Sequence, residues 1–424
     1  MSMRNHASAI AAADAVEEDR LWQRLMAMAE FGGFDGGGVN RAVFSAEDIA
    51  ARACLLTWAE ALALDAGVDA IGNLYLRLTG SDPALPPVMT GSHMDSQPQG
   101  GRFDGIYGVI AGLEAIQAVR EAGIEPLRSI ELVAWSNEEG GRFAPGAMGS
   151  AVFTGAMALN DCLAATDIEG IRLQDALAAT LAATPELPRR DLRAPVHAYL
   201  EAHIEQGPLL EAKGLPVGVV DSVQGSRWFE VTIDGEAAHA GTAPLSGRRD
   251  ALRSAVAVIS ALQSFVADDS DTVRFTVGRL EVEPNSPNTV PQRVRFSIDL
   301  RHPDAATLNR LGDGIAAETE RAVGPCTASV RESFHRAPCQ FDDRLVALLE
   351  QSADALHLPY TRLASGAFHD AVFLAGHCPT AMIFVPCAEG ISHNPAEDAS
   401  PADLAAGTRL LTAGLVALAM DGPA

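Results

Sequence analysis

The chain has 424 residues, 48% hydrophobic and 20% charged, the balance of a globular protein long enough for two domains. Lys and Arg total 31 against 55 Asp and Glu, a formal net charge of −24. That excess argues against nucleic acid or an anionic membrane as partner, because phosphate binding needs a basic surface.

Residues 12–31 carry the pattern of an amphipathic helix and lead into the glycine-rich loop FGGFDGGG; 44–66 reads as a second helix. Strand-like runs follow at 72–78, 86–93 and 129–135, with a helical pattern at 107–123 between the last two. This alternation predicts an α/β sheet covered by helices. The Ala-rich stretch 156–195 reads as a helical excursion without a defined place. From Arg227 the pattern changes to strand 227–235, helix 251–266, strands 273–283 and 292–301, helix 305–323 and strand 327–334. That β-α-β-β-α-β order is the split βαβ, ferredoxin-like plan. Helix 345–356, strand 379–387 and helix 401–420 then resume the first pattern. The prediction is a discontinuous mixed-sheet α/β domain, 1–222 plus 335–424, with an inserted α+β module at 223–334. No run is apolar for long enough to span a bilayer, and the N-terminus, broken by acids, does not read as a signal peptide. The six cysteines form no C-x-x-C pair, so neither a disulfide framework nor a thiolate zinc site is expected, and a cytoplasmic location fits.

The chemistry-bearing residues cluster just past the strand-like runs. Glu138 and Glu139 stand side by side in SNEEGGRF after the apolar run IELVAW. Adjacent carboxylates at a strand end repel each other and invite a cation. TGSHMDSQPQGGRFDG supplies His93, Asp95 and Asp104, YLEAHIEQGP supplies His203 and Glu205, and GISHNP supplies His393. Taken singly, each is more often a polar loop residue. Together His93, Asp104, Glu139, His203 and His393 form a nitrogen–carboxylate donor set suited to zinc, with manganese, cobalt and nickel as further options. Two ions bridged by one carboxylate would use all five and leave room for a shared, activated water. Asp95, two residues after His93, has the spacing of a residue that orients a ligand. Glu138 is then spare to move the water's proton to the leaving nitrogen.

The chain resembles the amidase, hydantoinase/carbamoylase branch of the metal-dependent aminoacylase and carboxypeptidase superfamily. The stretches that carry the resemblance are GSHMDSQPQGGRFDGIYGV (91–109), WSNEEGGRFAPGAMGS (135–150), EAHIEQGPLLE (201–211), GEAAHAGTAP (235–244), PNTVP (287–291), DLRH (299–302), SGAFHDAVFLA (365–375) and MIFVPCAEGISHNPAE (382–397). The resemblance implies the five di-metal ligands above with Asp104 bridging, Asp95 as partner of His93, and Glu138 as general base. It further implies Gln206 as a substrate contact, His239 as oxyanion stabiliser, and Asn288 and Arg301 as holders of a substrate carboxylate. The inserted module would be a lid and dimerisation domain, and the partner a second copy of the chain contributing across the interface. The implied reaction is hydrolysis of the carbamoyl C–N bond of N-carbamoyl-L-amino acids, with allantoate or N-carbamoyl-β-alanine as alternative substrates of the same mechanism. An aminoacylase or dipeptidase, or a non-catalytic binding protein, is the more distant alternative. Where many relatives carry glycine in the SGA-x-HD loop this chain has Phe368, which implies a narrower pocket or an apolar substrate side chain. For the neighbouring His369, a substrate-facing role and a structural hydrogen bond both stay open.

Overall fold

The computed structural model describes residues 3–422. It divides into two compact units, one comprising Met1–Asp221 and Gln340–Ala424, the other Ser222–Cys339.

The first unit is built on a nine-stranded sheet. Its strands before the insert are β1 (Asp65–Val68), β2 (Leu74–Leu78), β3 (Val88–His93), β4 (Ile130–Trp135), β5 (Ala198–Ile204) and β6 (Val217–Val223). The insert holds β7 (Gly225–Asp234), β8 (Ala238–His239), β9 (Arg274–Thr276), β10 (Leu280–Glu283), β11 (Thr289–Val290), β12 (Arg293–His302) and β13 (Thr327–Arg336). After it come β14 (Cys339–Gln340), β15 (Tyr360–Ser365) and β16 (Thr380–Val385). The large sheet runs β1-β2-β4-β3-β5-β16-β6-β14, with β15 also on β6. Its centre, β4-β3-β5-β16, is parallel. Every residue of these four strands is buried. Burial on both faces explains why they read as unbroken apolar runs rather than alternating ones. The parallel centre also sends four strand ends to one edge of the sheet, where α/β proteins place their sites.

Helices Ile106–Glu121 and Pro401–Ala419 are buried along most of their length. The second is long and apolar enough to cross a membrane on composition, contrary to the sequence expectation, but 83% of that window is buried inside the protein, so here it is a core helix. Residues 12–31 are not one helix but parts of two, Met3–Asp14 and Glu18–Ala29. The break has a tertiary cause: the Glu17 N–H donates to Oε1 of Glu114, a fully buried carboxylate that also receives the guanidiniums of Arg20 and Arg24. No local glycine or proline announces it. The stretch 156–195 contributes two helices, Leu159–Leu163 and Leu173–Ala183, and Leu173 and Leu177 pack in a small core with Phe44, Ile71 and Phe143.

The second unit is a five-stranded antiparallel sheet, β10-β12-β7-β13 with β9 also on β12, plus the ribbon β8–β11. Helices Ala251–Phe265 and Ala305–Ala322 supply Val258, Leu262, Leu308 and Ile315 to a core with Val231, Ile233, Phe296 and Ile298. The expected strand 273–283 is interrupted. Register slips by one residue between Thr276–Asp299 and Leu280–Phe296, the signature of a β-bulge.

Candidate metal centre

The site is assembled from the ends of the parallel strands. His93 closes β3 and His203 lies near the end of β5. Glu138 and Glu139 follow β4, and His393 sits in the loop after β16. Asp104 precedes helix Ile106–Glu121, so the helix N-terminus favours its charge. Gly105 between them has φ +66°, and a Cβ there would fall 2.3 Å from the His93 ring. Only glycine lets the helix start this close to the imidazole.

Asp104 is the hub. Its Oδ1 lies 3.2 Å from His203 Nε2 and 3.9 Å from His93 Nε2, and its Oδ2 lies 3.1 Å from His393 Nε2. His393 Nε2 is also 3.4 Å from Glu139 Oε2. Two donor groups therefore share one carboxylate: His93–Asp104–His203, all buried, and Asp104–Glu139–His393, opening toward solvent. His93 Nδ1 is 2.8 Å from the Asp95 carbonyl oxygen and His203 Nδ1 is 2.9 Å from that of Ile204. A carbonyl can only accept, so both Nδ1 atoms carry hydrogen and both Nε2 lone pairs face the hub. The Gly105 N–H donates to His203 Nε2 (3.2 Å), which requires that lone pair.

The electrostatics suit a cation. Among the described residues, the ion-pair partners of Asp104, Glu138 and Glu139 are imidazoles only. Burial, with Asp104 adding, pushes Glu139 up to about 8. Burial, with Asp370 and Glu139 adding, raises Glu138 well above the usual carboxylate range. Burial lowers His93 to about 4. For His203 burial acts downward but Asp104 outweighs it, raising the imidazole to about 9. The crowding that raises Glu138 and Glu139, and the pull of Asp104 on the His203 imidazole, mark a carboxylate cluster short of positive charge. Divalent ions fit it.

Glu138, its side chain 9% exposed, lies 3.6 Å from His93 Nε2 through its Oε2. The Gln206 amide nitrogen donates to Asp104 Oδ2 (3.0 Å) and Ser392 Oγ (3.1 Å), while its buried Oε1 has no partner among the described residues. Asp95 differs from its expected part. Its carboxylate is 4.0 Å from His93 Nδ1, and the main-chain carbonyl makes the contact instead. The carboxylate accepts the N–H groups of Glu138 and Glu139, each at 3.2 Å. Two residues of spacing turn the Asp95 side chain toward the next strand's end, where two unpaired main-chain donors wait.

The other expected residues lie in the second unit. His239 on β8 pairs with Thr289 on β11, next to Asn288. His239 Nδ1 accepts the N–H groups of Gly241 and Thr242, so its Nε2 carries the hydrogen. Asn288 Oδ1 accepts from the Ser286 hydroxyl. Arg301 is on β12, its Nε and one terminal nitrogen donating to the Asp299 carboxylate. In the first unit His369 is buried, 2.8 Å from Ser365 Oγ through Nε2, its ring edge-on to His203. Phe368 packs against Phe373.

Three supporting residues had no expected role. The Gln97 amide donates to Glu139 Oε2 (2.8 Å). Arg41, 2% exposed, donates to the carbonyls of Met94 and Met28 and so fixes the loop after His93. Glu397 holds the Asp104 main chain. Gln97 and Glu397 lie in quoted stretches, 91–109 and 382–397, without a role assigned there, and Arg41 lies in none.

Comparisons with known proteins show the family to which the chain belongs. A family model described as Peptidase family M20/M25/M40 matches residues 89–416. The N-carbamoyl-L-amino-acid amidohydrolase of Rhizobium meliloti is 39% identical over 401 residues, 93% of this chain and 95% of its own. The N-carbamoyl-L-amino acid amidohydrolase of Geobacillus stearothermophilus is 40% identical over 403 residues, covering 93% and 97%. A crystal structure of an amidase of the hydantoinase/carbamoylase family from Burkholderia multivorans matches with a TM-score of 0.90 at 41% identity, covering 96% of this chain and 98% of that one.

Proposed function

The chain belongs to peptidase family M20/M25/M40, and from that premise we propose that it hydrolyses the carbamoyl C–N bond of N-carbamoyl-L-amino acids at a site for two divalent ions. It is a metal-dependent hydrolase of linear amide C–N bonds, as its relatives are. The observation that carries the two-ion reading is a single carboxylate, Asp104, shared by two donor groups. His93, Asp104 and His203 would hold one ion, and Asp104, Glu139 and His393 the other; the donor types favour zinc, then manganese, cobalt or nickel. Bound there, such ions would polarise the ureido carbonyl and lower the pKa of the attacking water.

The remaining roles belong to the chain's own side chains. Glu138 stands beside His93 with only a small part of its side chain exposed and binds no ion itself in this reading, which suits it to take the water's proton and deliver it to the leaving nitrogen. Gln206 offers a buried, unpartnered Oε1 that an N–H of the ureido group would satisfy. Its nitrogen is committed to Asp104, so the oxygen is the atom left for substrate. In the second unit, the His239 Nε2–H is free to donate to a developing oxyanion, an interaction that contributes on the order of 3–4 kcal/mol in other enzymes. Asn288 and Arg301 would take the substrate carboxylate, Arg301 as a fork. Arg301 is already forked onto Asp299, so substrate would share or displace that partner. The second unit would serve as lid and dimerisation module, in a homodimer whose partner completes the site.

The test is ammonia release by zinc- and manganese-loaded protein on a panel of ureido acids. The panel holds N-carbamoyl-L-amino acids with small, aliphatic and aromatic side chains, N-carbamoyl-β-alanine, allantoate and an N-acetyl amino acid. Turnover of the α-carbamoyl acids is expected, with apolar side chains preferred if Phe368 narrows the pocket. Turnover of allantoate alone would move the substrate to another ureide, and turnover of the N-acetyl acid alone would reject carbamoyl specificity.

A further inference from the structure

The solvent-facing half of the ligand set is held by a residue that contributes no ligand. Glu397 is fully buried. Its Oε1 accepts the main-chain N–H groups of Phe103 (2.9 Å) and Asp104 (3.1 Å). Its Oε2 is 3.1 Å from the Ser392 hydroxyl, itself 3.3 Å from Asp104 Oδ2. The Glu397 N–H donates to the Asn394 carbonyl (3.0 Å), folding the segment that carries His393 into a turn. Gly101 lies directly under the carboxylate: a Cβ there would fall 2.1 Å from Oε1. One buried acid thus ties the main chain of the hub carboxylate to a loop 293 residues further on.

The two donor groups depend on this tie to different degrees. His93 and His203 project from neighbouring parallel strands, paired through Val88–Ala198, Met89–Tyr199 and Thr90–Leu200, and their rings are locked by main-chain carbonyls. Among the described residues, His393 has neither support. Its side chain is 49% exposed, its φ is +54°, and it stands in a loop beyond β16. We propose that Glu397 is a positioning residue that assembles the Asp104–Glu139–His393 group, while the His93–Asp104–His203 group forms without it. Two charge-assisted bonds from consecutive N–H groups fix the direction in which Asp104 leaves the chain. The same carboxylate, through the turn and Ser392, fixes where His393 meets it.

This rests on the two-ion reading above, and the experiment separates the two. Apo protein is titrated with zinc and with manganese by calorimetry, alongside cobalt absorption spectra that report each coordination step. Wild type should bind two ions in resolvable steps; one ion per chain would overturn the two-ion reading and this inference with it. In Glu397→Gln, which keeps one acceptor oxygen, the weaker step should fall about 10–100-fold and the tighter by no more than about threefold, the usual cost of losing an outer partner. Gly101→Ala removes no donor or acceptor but displaces the Glu397 carboxylate, and should show the same selective loss. Ser392→Ala should weaken the same step several-fold and carries the test if Glu397→Gln fails to fold. Two-step binding unchanged in the variants, or both steps weakened equally, would overturn the positioning role and leave the two-ion reading intact.

Discussion

Asp95→Asn separates two accounts of the same residue. The spacing of His93 and Asp95 suggests a carboxylate that orients an imidazole, whereas in the structure that carboxylate accepts the N–H groups of Glu138 and Glu139. At pH 8 Asp95, raised to about 7 by burial with Asp48 adding, is ionised and both oxygens accept. Asparagine keeps one acceptor and turns an NH₂ toward the other buried N–H, leaving that donor unpaired. The cost of such a group is about 1–3 kcal/mol. A displaced Glu139 should lower ion affinity at its own group by about 10–100-fold, which is ~1.4–2.7 kcal/mol and of the same size. His93 keeps its tautomer, because the acceptor on its Nδ1 is a main-chain oxygen. Urea unfolding of the apo variant gives the first number, and a zinc titration gives the second. Nitrogen-15 shifts of the His93 ring read the tautomer. If the variant loses the His93 tautomer while the affinity of the Glu139 group stays at the wild-type level, the carboxylate acts on the imidazole and the assignment made from the structure is wrong.

Other substitutions probe other parts of the site. Glu138→Gln should bind metal as wild type and lose about 10²–10⁴ in kcat, since it removes a proton carrier and no ligand; near-normal turnover would reject the role. Arg301→Lys should raise KM for carboxylate substrates with metal content unchanged, because a point charge replaces a fork; an unaltered KM would place the substrate carboxylate elsewhere. Gly105→Ala should cost about 1–3 kcal/mol in strain and empty the His93 group of metal, because its Cβ meets the ring; full metal content at wild-type stability would show that the helix start can move aside.

What the sequence disclosed follows burial. The ligand-bearing strands are enclosed on both faces, so IELVAW and AMIFV read as strands without help from their surroundings, and the acids and imidazoles beyond them fall at strand ends. Asp65–Val68 and Tyr360–Ser365 are only partly buried, and their mixed polarity hid them. The break before Glu18 was invisible because its cause is Glu114, almost a hundred residues away. The same holds for the acceptor roles of Asp95 and Glu397. Their partners are main-chain N–H groups, which every residue but proline carries, so no residue type marks where such an acid will bind. Motif spacing finds which side chains gather, not which of their atoms do the holding.

The strand order has a consequence for how the polypeptide is born. β16 lies between β5 and β6, so the middle of the sheet is completed by residues that leave the ribosome only after the whole insert has been made. Until residue 385 emerges, β5 and β6 each present a free edge, and the helix that packs on β5 and β16, Pro401–Ala419, is later still. The module at Ser222–Cys339 has its own sheet and core and can close while the earlier strands wait. The segment that interrupts the sheet can therefore close before the sheet that it interrupts. The residues that interrupt it also separate β5 from its final partner in time, which makes this the interval in which the nascent chain is most exposed to edge-to-edge association.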